Sequence, residues 1–321
     1  VRTKFVPRRP VWSAKSISRK QEQGNKIMQR IAFFVYGVTG HLFFLATYAW
    51  LAAFVGDLFV RHSIDSPPSD SIPLALAIDS GLIALFGLQH SIMARPAFKR
   101  AWTRIVPEPI ERSTYVFASC AVTILLMWQW RTVDLVVWDV QNPVGRGLLY
   151  GLFALGLVMV PTVTLMINHF DLFGTRQVWL YLRGREYTSL PFRTPLLYSQ
   201  IRHPLYIGWA IAFWATPTMT VGHLLFAAGM TGYMLLAVVF EERDLVAHFG
   251  RQYEDYRRRV PMFVPRLGAA NPAASGESRG LMTNSAGRLD GLLQSTQPLE
   301  CECHPGSGPV KEPTGTSRVA I

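Results

Sequence analysis

Three cysteines in 321 residues leave too little to build a disulfide framework. Cys120 lies inside an apolar run. Cys301 and Cys303 stand in "CECH" at 301–304, which has neither zinc-ligand spacing nor a second ligand pair, so no metal site is read there. A Gly-rich dinucleotide fingerprint is also missing, as is any internal repeat. The more informative shortage is of charge. Lys, Arg, Asp and Glu are absent from 31–56, 113–130, 147–168 and 203–240, and Asp79 is the one such residue in 71–94. Runs of that length exclude an ordinary soluble domain.

A bilayer core about 30 Å thick takes roughly 20 helical residues to cross, so each run is a spanning candidate. The run 203–240 is too long for one crossing at about 1.5 Å per residue, and "ATPTMT" at 215–220 breaks it with a proline. It reads as a hairpin. The expected fold is an all-α integral-membrane bundle of about six transmembrane segments, the last two forming a Pro-broken hairpin.

Charge placement agrees with that count. Arg95, Lys99, Arg100, Arg104 and Arg112 lie between the second and third runs; Arg176, Arg183, Arg185, Arg193 and Arg202 precede the hairpin; Arg243, Arg251, Arg257, Arg258 and Arg259 follow it. The alternate loops hold only Arg61, or Arg131 with Arg146, beside Asp65, Asp70, Asp134 and Asp139. The positive-inside rule puts both termini in the cytoplasm, which requires an even number of spans. It also accounts for the net charge of +11 without a nucleic-acid partner.

Residues 1–27 form a basic, polar extension expected to be disordered. It has no apolar core with a cleavage site, so no signal peptide is expected, and Met28 reads as a natural start. From 268 to 321 the chain turns to Gly, Pro, Ser, Thr and Asn, the composition of a disordered tail. The membrane domain is expected over 28–267.

Three motifs within it carry chemistry. In "RHPLYIG" at 202–208, Pro204 suits the first turn of a helix, where its missing N–H goes unneeded. The amides that follow would point to the interface, a place for a carboxylate or phosphate beside the charge of Arg202. His203, Tyr206 and Trp209 share a face, and Gly208 admits close approach of a ligand or helix. Arg, His and Tyr also serve simply as interface anchors. In "EERDL" at 241–245, Glu241 and Glu242 oppose the helix dipole, which a bound cation would explain. Opposite charges at the two ends of a hairpin suit a zwitterionic, positively charged cofactor. In "HFGRQYEDYRRRVPMFVP" at 248–265, Tyr253 and Tyr256 recur at helical spacing and would close the site, while the arginines suit the anionic inner leaflet.

This series resembles the integral-membrane methyltransferases related to isoprenylcysteine carboxyl methyltransferase and the phospholipid N-methyltransferases. Upstream, "NHFDLFG", "LPFRTP" and "FWATPTMTVGHLLFA" narrow the resemblance to the bacterial methanethiol S-methyltransferases. The resemblance implies binding of S-adenosyl-L-methionine near the cytoplasmic face of a bacterial inner membrane, and methylation of methanethiol to dimethyl sulfide. Arg202, His203, Pro204 and the amides beyond would hold the cofactor's carboxylate side, Tyr206 and Gly208 its binding face, and Glu241 and Glu242 its amino group or ribose. His169, Asp171 and His203 itself are the candidate acceptors of the thiol proton, with loss to water as the competitor. Other acceptors remain open: another small thiol, a phospholipid amine or an isoprenylcysteine carboxylate. So does a non-catalytic transport or denitrification-associated protein, for which the intramembrane Asp79 speaks. Gln89 and His90 read as helix-joining residues, with His90, near the cytoplasmic end, also placed to reach the pocket; His41 and His223 read as packing residues.

Overall fold

The computed structural model describes residues 14–68 and 70–265. Helix α1 (Ala14–Val55) begins well before the first apolar run and continues through it. The extension expected to be disordered over 1–27 is therefore helical from residue 14; residues 1–13 and the tail over 268–321 lie outside the described residues. The reason is cooperativity. A long apolar helix supplies the nucleus, and prolonging it backward through "AKSISRKQEQ" costs no further nucleation.

Four more long helices follow: α2 (Ile72–Ala94), α4 (Glu108–Gln129), α5 (Pro143–Ile167) and α9 (Val221–Phe249), with short α3 (Pro96–Trp102) between α2 and α4. With α1 they make five helices long and apolar enough to cross a membrane. Leu148, Leu152, Leu155 and Val158 of α5 and Leu235, Leu236 and Val239 of α9 remain exposed. Lipid, not water, suits such a surface. Small helices α6 (His169–Leu172) and α7 (Thr175–Leu182) follow α5, and α10 (Arg251–Arg259) follows α9.

The expected hairpin is present, but its first arm is short. Helix α8 (Pro204–Trp214) has 11 residues, about 16 Å of rise. The chain completes the passage in extended form and ends in strand β2 (Thr218–Thr220), antiparallel to β1 (Val136–Asp139). Pro217 cannot continue a helix. Its carbonyl accepts from the Val140 amide at 2.9 Å, and Trp138 Nε1 donates to Thr216 O at 3.2 Å. The chain thus runs the length of the bundle six times, five as long helices and once as α8 with its extended segment.

Polar groups at the ribbon end are tied together. Thr220 Oγ1 donates to Asp65 Oδ1 (2.5 Å), and His223 Nδ1 lies 3.0 Å from Asp65 Oδ2. Asp79 Oδ1 accepts the Arg131 amide at 2.8 Å, just beyond α4. Gln89 Nε2 reaches Ser119 Oγ at 3.4 Å, joining α2 to α4.

The tightest contact is α5 against α8. A Cβ on Gly156 would stand 2.7 Å from Ala212 N and 2.7 Å from Gly208 O. One turn further along α5, Pro161 lacks the N–H that the Leu157 carbonyl needs. Tyr48 Oη supplies a hydrogen bond instead, at 2.6 Å. In apolar surroundings that replacement matters, because water does not reach the freed carbonyl. We predict that Gly156→Val lowers stability by about 1–3 kcal/mol through forced separation of the helices. Gly151→Val, on the same helix with open space around it, should melt like wild type in detergent thermal-unfolding measurements.

Candidate functional site

The approach to α8 is held by backbone. Arg202 N donates to Pro261 O (3.0 Å) and His203 N to Met262 O (3.2 Å), so the chain beyond α10 is laced along the "RHP" segment. The first helical bond of α8 runs from Ile207 N to His203 O at 3.4 Å. The amides of Leu205 and Tyr206 precede it, among the donors a helix start leaves over.

Glu242 gathers the cations. Arg202 Nε donates to Glu242 Oε1 at 2.8 Å, His203 Nε2 lies 3.1 Å from the same oxygen, and Arg257 Nη1 lies 3.9 Å from the other. Arg202 Nη1 donates to the carbonyls of Arg257 and Val260, both at 2.8 Å. Arg202 was expected to hold a ligand's carboxylate. Its Nε and Nη1 are engaged by Glu242 and the two carbonyls, while the residue still borders the cavity. Glu241 behaves differently. It borders the cavity, accepts a hydrogen bond from Tyr206 Oη at 2.7 Å and lies 3.9 Å from His203 Nδ1. The His203 and Tyr206 rings stack at 5.5 Å and 16°, which fixes both beside it.

The cavity, about 320 Å³, lies inside the bundle. Its walls are apolar and aromatic: Phe44 and Tyr48 of α1, Phe86 of α2, Tyr115 and Cys120 of α4, Val160 of α5, and Trp209 and Phe213 of α8. Its polar end carries Arg95, Arg112, Tyr198, Arg202, His203 and Glu241. An apolar pocket with a few convergent polar groups is the usual form of a small-ligand site.

Several expected site residues stand elsewhere. Gly208 faces α5, where an added Cβ would meet Gly156 O at 3.2 Å; its missing side chain serves helix packing. Pro204 is buried at the start of α8 and does not border the cavity. Tyr253 and Tyr256 lie behind the site with Leu245, Phe192 and Phe249, anchoring α10. Tyr256 Oη donates to Tyr198 O at 2.6 Å, and burial holds both phenols of α10 well above their usual range, hence protonated. Asp171 pairs with Arg176 at 2.9 Å and receives Tyr187 Oη at 3.2 Å, away from the cavity. His169 also lies outside the lining. Its Nδ1 is 2.8 Å from Thr164 Oγ1, which does border the cavity, and its Nε2 is 3.3 Å from His41 Nε2. Burial, then the nearby His41, holds the His169 ring below the usual histidine range, so it is neutral near pH 7. With both ring nitrogens engaged, it has no free position facing a substrate.

Sequence reasoning passed over Arg112, Tyr115, Tyr198 and Tyr233, all cavity-lining. His90 borders the cavity too, with Nδ1 buried and without a partner. Arg112 was read as a topology charge, and nothing local distinguishes a buried arginine from an interfacial one.

Residues 80–270, which contain the whole of this polar end, match the model of the NnrU protein family. The chain belongs to the NnrU family. Relatives of this NnrU chain include the methanethiol S-methyltransferase of Crocosphaera subtropica, 48% identical over 252 residues, covering 78% of the chain and 99% of the relative. That of Mycobacterium tuberculosis is 51% identical over 238 residues, covering 74% and 98% respectively. Nurim of Mus musculus is 32% identical over 183 residues, 54% of the chain and 70% of the relative. No solved structure matches the NnrU chain.

Arg202→Ala leaves Glu242 buried with its main partner gone. That change should cost roughly 3–5 kcal/mol and free the segment around 257–262. Faster limited trypsin cleavage after Arg257, Arg258 or Arg259 in intact membranes would register it.

Proposed function

We propose that this NnrU protein is a membrane methyltransferase that uses S-adenosyl-L-methionine to methylate methanethiol, giving dimethyl sulfide. One observation carries the reading. A cavity-bordering carboxylate, Glu241, is hydrogen-bonded by Tyr206 of the first turn of α8, in a chain about half identical to methanethiol S-methyltransferases.

The residues present fit such a cofactor. An amino-acid end offers an ammonium and a carboxylate on one carbon, so it needs an acceptor and a donor side by side. Glu241 supports the first role and the amides of Leu205 and Tyr206 the second, since Tyr206 itself bonds Glu241. When bound, S-adenosyl-L-methionine supplies an electrophilic methyl group on a sulfonium sulfur. Arg202, His203 and Glu242 act as positioning residues that hold α8 and α10 together, and Tyr253 and Tyr256 support them from behind. The aromatic wall excludes water and accepts a small apolar thiol that arrives through lipid. The thiolate is the competent nucleophile, and a dry site strips it of the water shell that would otherwise damp its attack. Holding both reactants in near-attack geometry supplies about 7–11 kcal/mol of barrier reduction. His169 and Asp171 are given no proton in this reading, because their partners already satisfy them.

In this reading the arginine-rich end that carries the cavity faces the cytoplasm, with both chain termini on that side, as the positive-inside rule supports; the bacterial methanethiol S-methyltransferases among its relatives support a bacterial inner membrane.

Membranes containing the full chain, supplied with methyl-labelled S-adenosyl-L-methionine and methanethiol, should release labelled dimethyl sulfide into the headspace. Labelled lipid without dimethyl sulfide would overturn the acceptor, and absence of cofactor binding would overturn the enzyme. Glu241→Gln should weaken cofactor binding about 10- to 100-fold, the loss of one hydrogen bond to a charged group, with normal membrane insertion.

A further inference from the structure

Arg112 has no assigned role, and its surroundings ask for one. The residue is 2% exposed and borders the cavity, while its Nε and Nη1 are buried without hydrogen-bond partners. Three other arginines at this end are matched: Arg95 to Asp244 at 3.0 Å, Arg176 to Asp171 at 2.9 Å, Arg202 to Glu242 at 2.8 Å. A guanidinium taken out of water with two of its three nitrogens unpaired is costly to fold around, unless an anion is to join it. Gly174, at φ +85°, lets the turn after α6 lie directly on α4; a Cβ there would come within 2.6 Å of Ser113 Oγ and 3.2 Å of Arg112 Cβ.

We propose that Arg112 receives the thiolate of the acceptor and favours its formation, an inference that rests on the methyl-transfer reading above. The cofactor's two charges share one carbon and are met together on α8 and α9. Arg112 stands on α4, whose packing partners are α1, α2 and α7. That leaves it to the second reactant. Beside it Tyr115, Val116 and Phe173 give an apolar wall suited to a methyl-sized substituent. In the step assigned here, the S–H bond breaks, the electron pair stays on sulfur next to the guanidinium, and the proton leaves to water beyond the cavity's polar end. A guanidinium takes no proton itself; it acts by charge and by paired N–H donors.

The test compares two acceptors of one shape. Methaneselenol, generated by reducing dimethyl diselenide, is more acidic than methanethiol and needs less help to ionise. In Arg112→Gln, calorimetric affinity for S-adenosyl-L-methionine should stay within about twofold of wild type, while kcat/KM for methanethiol falls on the order of 100-fold, the effect of losing one charged donor in a dry site. The defect towards methaneselenol should be about tenfold smaller. Cofactor affinity that falls in parallel would make Arg112 a carboxylate anchor and overturn the proposal, as would equal defects for the two acceptors or an unaltered kcat/KM. If the neutral variant does not insert, Arg112→Lys carries the same comparison: retained cofactor affinity with a raised methanethiol KM is expected, and lost affinity overturns it. Failure of the methyl-transfer reading itself would be seen separately, as wild-type protein that makes no dimethyl sulfide.

Discussion

Consecutive residues on a helix point about 100° apart, and at the end of α9 that rotation separates two carboxylates into different tasks. Glu242 turns into the protein and meets Arg202 and His203. Glu241 turns to the cavity, with Tyr206 as its hydrogen-bond donor. The two assignments depend on each other. Because Glu242 satisfies the arginine, Glu241 is left for a ligand. Because Arg202 also donates to carbonyls beyond α10, the same contact draws the carboxyl-terminal segment under the start of α8. A single buried ion pair thereby sets the relative placement of α8, α9 and α10.

A bundle in lipid must satisfy its polar groups internally, and the irregular parts of this one follow that rule. Pro161 frees a carbonyl and Tyr48 occupies it. Helix α8 stops early, and the extended residues after it find partners in β1. Asp65 and His223 join the opposite end. Against that background of matched groups, the unmatched ones become informative. Among them, Arg112 is buried and His90 half-buried with a buried Nδ1; both border the cavity and keep unpaired nitrogens. Such groups in a membrane protein belong to a substrate path or a site by default.

The spanning helices were legible in the sequence because a membrane imposes a crude demand, a long run without charge, that local composition meets or fails. The hairpin was legible from Pro217, although not the shortness of its first arm, since nothing in "WAIAFWATPTMT" marks where helix gives way to extended chain. The paired acids and the "RHP" segment were legible as motifs. Their partners were not. Arg202 was legible as a group facing a ligand, and the fold, which leaves it at the cavity's edge, gives it Glu242 as a partner. Tyr253 and Tyr256 show the same limit: helical spacing put them on one face correctly, and only packing on Phe192 and Leu245 decided that this face looks inward, away from the cavity. Gly208 was open to either a ligand or a helix, and α5 took it.

By itself, then, the order of residues determined which segments enter the membrane, which end of the bundle collects arginine, and which short motifs converge there. Those properties depend on neighbours along the chain and on the solvent around it. The tertiary structure alone decided which charges cancel one another and which remain available. Whether a carboxylate meets an arginine depends on distances between helices far apart in sequence, and a change of a few ångströms there converts a binding group into a structural one.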